Sequence, residues 1–480
     1  MEIYAYNTHY KITNYRLGSH YNDLEKMLSI YDEVYHKRDT RFYYDEDTRT
    51  LYIPRGFDEG KLSDLLDRPI NYMDDNTRPK RISFTMKLPP RDDVQKESIR
   101  FLTGKDEYAY MANVHQAVLS LPGGGGKTYS AIAAMCIYGV KTLVVTHTVD
   151  IRDQWLARFK EYTNLSDKSI AVIDGSAKLL DCLKGKSRAS FNNASCYLVV
   201  HRTLDVFMKE NGIEALGKVV RKLGIGLKII DECHKEFANT LMIDYATNVW
   251  KTFYLTATFK RSITDDKLFQ TSFNRVHKLY KNTEEMGQER NVYYIIDEFC
   301  TNITHVEIAG MIVRKMFNSY RYIDTELEYG DILDHVDKWL RWFYIDRGEE
   351  GKTYIISPKK SSCEVMYKLA KQTLPDMKVC IHNSDSKMDD LSEYDIICST
   401  FKMVGTGNDL DGLRMIINTE PIGSDANIDQ LVHRLMRGKD SRNAYYIEPI
   451  DKRIPNIVNM LKRRKRVLKK FVKHILHVTD

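Results

Sequence analysis

Residues 121–128 read Leu-Pro-Gly-Gly-Gly-Gly-Lys-Thr and lie between an apolar run and a stretch of helical character. Glycines let the backbone curl so that successive N–H groups converge on phosphate oxygens, and the helix that follows adds its positive N-terminal end. In such a loop Gly123, Gly124, Gly125 and Gly126 cradle the phosphates of ATP. Lys127 then reaches the β- and γ-phosphates, and Thr128 takes a place on Mg²⁺. Leu121 stands where loops of this kind usually begin with glycine. A flexible linker would account for the glycines but not for the Lys-Thr that closes them.

About a hundred residues further on, positions 227–234 read Leu-Lys-Ile-Ile-Asp-Glu-Cys-His, an apolar strand that ends in two carboxylates. At the carboxyl end of a buried parallel strand, Asp231 can hold the Mg²⁺ while Glu232 polarises the attacking water. Taken alone, an Asp-Glu pair after a strand is also what a solvated turn looks like. Its distance behind a phosphate loop favours the chemical reading.

With these two motifs in order, the chain resembles a superfamily 2 helicase of the DECH-box kind. Gln95 in Val-Gln-Lys-Glu-Ser-Ile resembles the glutamine that reads adenine. Thr146 and His147, with Asp153-Gln154-Trp155 after them, resemble a motif that touches a nucleic-acid backbone. Arg202 and Thr203 resemble the next such contact. Leu-Thr-Ala-Thr at 255–258 resembles the motif that links the ATP site to the nucleic-acid site, which assigns the coupling to Thr256, Thr258 and His234. In the second half, the strand-like 352–358 followed by Lys359 resembles motif IV. Residues 395–411, with Thr400, Gly405, Gly407 and Asp409, resemble motif V. Residues 430–437, Gln-Leu-Val-His-Arg-Leu-Met-Arg, resemble Q-x-x-G-R-x-x-R with His433 in place of the glycine. Gln430 would then serve the nucleotide, and Arg434 or Arg437 would be the arginine finger.

The resemblance implies an α/β fold of two tandem RecA-like parallel-sheet lobes, here with an N-terminal α+β accessory domain and a basic C-terminal helix. It implies ATP and Mg²⁺ as cofactors and a nucleic acid as partner. The DECH spelling, Gln430 and the Leu-Thr-Ala-Thr-Phe-Lys-Arg run favour DNA over RNA and resemble UvsW-like phage helicases, which implies remodelling of forks and Holliday junctions. An RNA-dependent ATPase and a duplex translocase of the restriction type are the competing readings.

Composition agrees. The 480 residues are 43% hydrophobic and 29% charged, as in a folded chain with room for two to four domains. No basic-then-apolar leader opens it and no uncharged apolar run approaches the ~18 residues of a membrane span, so a cytosolic protein without membrane contact is expected. Eight cysteines stand without a C-x-x-C pair, the pattern of small buried hydrophobes rather than of a zinc site or a disulfide frame.

The formal net charge of +6 is unevenly placed: residues 451–480 hold ten Lys/Arg against two Asp, so the rest of the chain is slightly negative. Leu461, Leu468, Phe471, Val472 and Ile475 recur at helical spacing, which predicts an amphipathic basic helix. It either packs on the second lobe or contacts phosphates. Ten tyrosines fall in the first 52 positions, and 41–54 reads as a hairpin closed by Pro54. Those tyrosines are expected to pack in a core, with base stacking as the alternative. The expected organisation is an accessory domain at 1–88, lobe one at 89–262, lobe two at 263–450 including a lead-in at 263–350, and the basic tail at 451–480.

Overall fold

The computed structural model describes the chain except for residues 33–36, 74–78, 123, 258–262, 282–289, 301–302, 314–315, 330, 387–389, 405–409, 423–424, 437–441, 470 and 480. The chain divides into two compact units, Met1–Asn282 and Thr283–Asp480.

The first unit opens with β1 (Glu2–Ala5), β2 (His9–Thr13), β3 (Tyr43–Asp45), β4 (Thr50–Pro54) and β5 (Ile70–Tyr72). They form a mixed sheet of order β3-β4-β2-β1-β5. The β3–β4 hairpin pairs Tyr43 with Tyr52 and Asp45 with Thr50. Tyr10, Tyr15 and Tyr52 are buried, and Tyr52 lies among His9, Tyr43 and Tyr245. Tyr10, Tyr15 and Tyr52 thus build a core.

The second sheet of this unit contains β6 (Gln116–Ser120), β7 (Thr142–Thr146), β8 (Ile170–Ile173), β9 (Cys196–Val200), β10 (Leu227–Ile230), β11 (Lys251–Thr256) and β12 (His277–Tyr280). Its order is β8-β9-β7-β10-β11-β6-β12, and every pairing is parallel. Strands covered on both faces read as continuous apolar runs, as Leu143-Val144-Val145 and Ile229-Ile230 do. The helices that matter to the site are α1 (Asp93–Thr103), α2 (Lys127–Tyr138), α3 (Val149–Tyr162), α4 (His201–Asn211) and α5 (Phe237–Ala246). Since β12 completes this sheet, residues 263–282 belong to the first unit. The lead-in to the second lobe therefore starts later than the sequence motifs placed it.

A buried polar cluster joins the accessory sheet to this lobe. Lys228 Nζ donates to Asp244 Oδ1 at 2.6 Å and to Thr247 Oγ1 at 2.7 Å, and Tyr254 donates to Asp244 Oδ2 at 2.7 Å. The Thr8 hydroxyl lies 2.6 Å from the Thr247 carbonyl oxygen and 3.0 Å from that of Asp244, and His9 Nδ1 is 3.0 Å from the latter. Gln116 Nε2 bridges the Thr8 carbonyl and the Tyr254 hydroxyl. Burial lowers the Lys228 pKa and raises that of Asp244, each opposed by the other's charge. His9 is held neutral, its pKa lowered to about 3 by burial, so it binds as an uncharged imidazole.

The second unit is also an all-parallel sheet, of β13 (Val292–Phe299), β14 (Lys352–Ser357), β15 (Val379–His382), β16 (Ile396–Thr400), β17 (Leu413–Asn418), β18 (Ala444–Asp451) and β19 (His474–Thr479). The order is β15-β16-β14-β17-β18-β13-β19. Helices α6 (Asp425–Met436) and α7 (Pro455–Leu468) pack beside it.

The tail departs from expectation. Helix α7 stops at Leu468, and the next segment becomes β19, in parallel register with β13. The spacing of Phe471, Val472 and Ile475 mimics a helix, but Ile475, Val478 and Thr479 are β-branched and favour the pleated edge. There His474 lies opposite Tyr293 with ring centroids 5.3 Å apart. Arg464 is not on the solvent face: its Nε donates to Glu448 Oε2 at 2.8 Å, and Nη1 to the Ile422 carbonyl at 3.0 Å. Tyr294 and Tyr446 donate to the same carboxylate. No described helix is long and apolar enough to cross a membrane.

Removing one partner of a buried ion pair strands the other, at about 3–5 kcal/mol. Asp244→Ala is accordingly expected to lower the melting temperature of the first unit sharply. Lys228→Met combined with Asp244→Leu is expected to recover most of that loss. Calorimetric melting of the two variants checks both, and equal destabilisation by single and double replacement would contradict it.

Candidate active site

The parallel register brings the chemistry to one edge of the seven-stranded sheet of the first unit. Ser120 at the end of β6 lies beside Thr256 of β11, Ile230 of β10 beside Tyr254 of β11 and Val145 of β7, and Val200 of β9 beside Thr146. Each chain segment leaving those strands starts at this edge, where ligands of open α/β sheets bind.

After β6, Leu121 is still paired to the sheet, its N–H donating to the Thr256 carbonyl at 3.2 Å. The turn follows, with Gly125 N–H donating to the Pro122 carbonyl at 3.0 Å. Gly124 and Gly126 have φ of +73° and +83°, backbone that side chains resist. Gly126 is the N-cap of α2. A Cβ there would come 2.4 Å from Gln95 Nε2, so only glycine lets the adenine-motif glutamine lie against the loop. Gln95 is fixed on its other side by the Arg91 N–H, which donates to Oε1 at 2.7 Å. The Arg91 guanidinium in turn donates to the Gly124 carbonyl at 3.2 Å. Lys127 is the first residue of α2, and its Nζ donates to the carbonyls of Leu121 at 2.8 Å and Pro122 at 3.3 Å. Thr128 is half-buried one residue on. Gly123 lies outside the described residues.

After β10, Asp231 N–H donates to the Val145 carbonyl at 2.9 Å, and Cys233 N–H to the Leu255 carbonyl at 3.1 Å. The Asp231 carboxylate is buried and doubly held. Trp155 Nε1 donates to Oδ2 at 2.7 Å, and the Glu232 N–H to Oδ1 at 3.0 Å. Burial and the neighbouring Glu232 charge push its pKa up, while the Trp155 N–H and the Lys127 ammonium pull it down. Glu232 has φ of +49°, the left-handed region that a non-glycine residue adopts at about 1–2 kcal/mol. This twist breaks the strand's alternation and turns Glu232 towards His234, whose Nδ1 lies 3.2 Å from Glu232 Oε2. The same nitrogen is 2.8 Å from Thr256 Oγ1. His234 thus joins the Glu232 carboxylate to β11. Thr258 lies outside the described residues.

Trp155 was visible in the sequence only as the end of an Asp-Gln-Trp run. Its place on the Asp231 carboxylate depends on α3 packing over β7 and β10, through Ile151, Trp155 and Phe159 at helical spacing.

The expected backbone contacts separate. Thr146 is fully buried, its hydroxyl near the carbonyls of Thr148 and Val199, so it holds the strand end and faces no partner. His147 lies half-buried with Nδ1 3.5 Å from Glu236 Oε1. Arg202 is exposed and Thr203 half-buried at the start of α4. In the second unit, Ser357 of β14 lies beside Thr400 of β16, which brings Lys359 and Thr400 to one edge; Lys359 pairs with Asp324.

Gly405, Gly407, Asp409 and Arg437 lie outside the described residues. Gln430 and Arg434 are on α6. Arg434 is 8% exposed, its charge opposing the burial that raises the Tyr354 hydroxyl pKa. His433, the departure from glycine, packs edge-on against Phe471 at 4.9 Å.

Residues 88–261 match the family model described as type III restriction enzyme, res subunit. The fold is similar to that of S. cerevisiae Dbp5 bound to RNA and ADP BeF3. That likeness has a TM-score of 0.52 and 16% identity, and covers 82% of this chain and 91% of that one. The Pyrococcus furiosus Hef helicase domain is a more distant likeness, with a TM-score of 0.44 and 12% identity over 76% of this chain and 99% of that one. No curated protein matches the sequence. The fold is that of two tandem RecA-like lobes, each built on an all-parallel sheet.

Two outcomes follow from the contacts. Trp155→Phe keeps the ring but removes the N–H from a charged acceptor, an interaction of about 1.5–3 kcal/mol. It is expected to lower ATP turnover roughly tenfold or more in steady-state assays while Mg²⁺-free nucleotide binding is retained. Gly126→Ala combines positive φ with a clash against Gln95 and is expected to weaken binding of a fluorescent ATP analogue by roughly tenfold, since strain of this kind amounts to about 1–3 kcal/mol.

Proposed function

We propose that this chain is an ATP-hydrolysing helicase or translocase that remodels DNA, with branched structures such as forks and four-way junctions as its substrates. The observation that carries the ATPase reading is the convergence of Lys127, Asp231, Glu232, His234 and Thr256 on one sheet edge. A buried carboxylate and a hydroxyl are hard oxygen donors, the set that Mg²⁺ takes beside nucleotide phosphates, so Asp231 and Thr128 fit the ion. When bound, it would neutralise charge on the β- and γ-phosphates.

The chain's own groups do the rest. Lys127 exchanges loop carbonyls for phosphate oxygens, and the glycine N–H groups line the cradle. Gln95 orients the base. Glu232, turned by its left-handed backbone and steadied by His234, orients water for in-line attack on the γ-phosphorus. Arg434 and Arg437 of the second lobe supply charge to the departing phosphoryl group, and Gly407, Asp409 and Gln430 complete the nucleotide contacts. His234 and Thr256, one hydrogen bond apart, are the natural relay to the nucleic-acid contacts at His147, Arg202, Thr203, Lys359 and Thr400.

DNA is favoured by the match of residues 88–261 to a family named for a restriction-enzyme subunit. A preference for branched DNA is supported by the accessory parts: the five-stranded sheet is built into the first unit, while the basic helix belongs to the second. Two weak contacts on separate arms of one molecule gain from raised effective concentration.

Lys127→Ala is expected to weaken ATP binding and abolish hydrolysis, whereas Glu232→Gln is expected to bind ATP and fail to turn it over. Full turnover by Glu232→Gln would remove the assignment of the water-orienting group. ATPase rates with forks, four-way junctions, tailed duplexes, single strands and RNA test the substrate. Strongest stimulation by junctions is expected, and stronger stimulation by RNA would replace DNA with RNA while leaving the ATPase in place.

A further inference from the structure

The basic tail resolves into two kinds of residue. Helix α7 turns Ile457, Leu461, Arg464, Val467 and Leu468 inward, where they meet Ile428, Leu431, Val432 and Leu435 of α6 and the rest of that core. Arg464, though the middle of the basic run, is 1% exposed and bonded to Glu448. At 100° per residue the opposite face carries Lys462, Arg463, Arg466 and Lys469, all exposed. These four cover an arc of about 120° and a length of about 10 Å along the axis. No Asp or Glu occurs from residue 452 to residue 479.

We infer that this face of α7 is a binding surface for the phosphate backbone of duplex DNA. The occupant is set by charge and by what the face lacks. Duplex DNA presents one negative charge per about 1.7 Å of axis, so about six charges lie along the length of the stripe. Surfaces that hold single strands add aromatic rings on which bases stack. This face has none, because Phe471, the aromatic that follows α7, is packed against His433. The stripe also stands on a rigid seat. The Arg464–Glu448 pair and the seam with α6 fix the helix, so little side-chain-bearing backbone must be ordered on binding. That seam connects the occupant directly to α6, the helix that carries Arg434. The inference takes from the proposed function only that the chain acts on nucleic acid, and it adds where the backbone is gripped.

The test is the triple variant Lys462→Gln, Arg466→Gln, Lys469→Gln in the full chain, with Lys368→Gln on the helix Lys360–Thr373 as a control at another exposed position. Affinity for a blunt 20-base-pair duplex is measured from about 50 to 200 mM salt, the range over which counterion release is read. Each lost contact lowers the log–log slope by about 0.9, so a fall of about 2 to 3 is expected for the triple variant, with the melting temperature and unstimulated ATPase unchanged. The control is expected to keep the wild-type slope, as is Lys462→Arg.

An unchanged slope in a folded triple variant overturns the inference. So does an equal fall with single strands or RNA, or a loss confined to phosphatidylserine vesicles. A wild-type ATPase that no nucleic acid stimulates would sink the motor reading, yet a fall in the duplex slope would still leave the stripe standing.

Discussion

Everything at the nucleotide edge depends on the parallel register of β6, β7, β10 and β11. Parallel strands all leave the sheet in one direction, and here Ser120, Thr146, Ile230 and Thr256 end within two pairing steps of each other. Four loops from distant parts of the chain therefore start side by side. The backbone bonds continue just past the strand ends, from Leu121 to Thr256, Asp231 to Val145 and Cys233 to Leu255. Left-handed glycine backbone stands in the turn, at Gly124 and Gly126, where phosphate must be wrapped, whereas the Asp231 carboxylate, which must stay aimed, is tied by two hydrogen bonds. Among the described residues of this edge, strain is stored at one non-glycine position, Glu232, and the surrounding bonds hold it there.

Both units use a fully buried ion pair where an added element meets the lobe: Lys228–Asp244 in the first, Arg464–Glu448 in the second. A buried pair contributes little net stability compared with apolar side chains of the same volume, but a misaligned one is strongly penalised. Each carboxylate accepts from tyrosine hydroxyls as well, Tyr254 on Asp244 and both Tyr294 and Tyr446 on Glu448. Such a cluster accepts one alignment, so it sets orientation more than it adds stability.

What the sequence disclosed was what is local. The Gly-Gly-Gly-Gly-Lys-Thr turn and the strand ending in Asp-Glu each carry their chemistry within eight residues, and the parallel character of the sheet follows from alternating strands and helices. Contacts set by packing were hidden. Trp155 on Asp231 spans 76 positions, and the approach of Gln95 to Gly126 depends on α1 lying over the loop. Thr146 matched a contact motif in type and place, yet its hydroxyl is turned into the lobe. In the tail, apolar spacing fitted a helix as well as it fitted a helix followed by an edge strand, and only pairing with β13 separates the two. His433 looked like a defect in its motif until Phe471 was placed against it.

The Thr8 hydroxyl and His9 ring approach the carbonyls of Asp244 and Thr247, which lie at the C-terminal end of α5. The last carbonyls of any helix have no partner within it. Here the partners are Thr8 and His9, at the start of β2 and more than two hundred residues earlier in the chain, so the cap of α5 is encoded in the accessory sheet. Excising the accessory sheet would strip these carbonyls of Thr8 and His9, and grafting an unrelated sheet in its place would bury them without partners. Modularity in this architecture accordingly ends at α5: the accessory sheet and the first lobe form a single structural unit, and a chain cut between residues 74 and 88 would separate two halves of one hydrogen-bonded core.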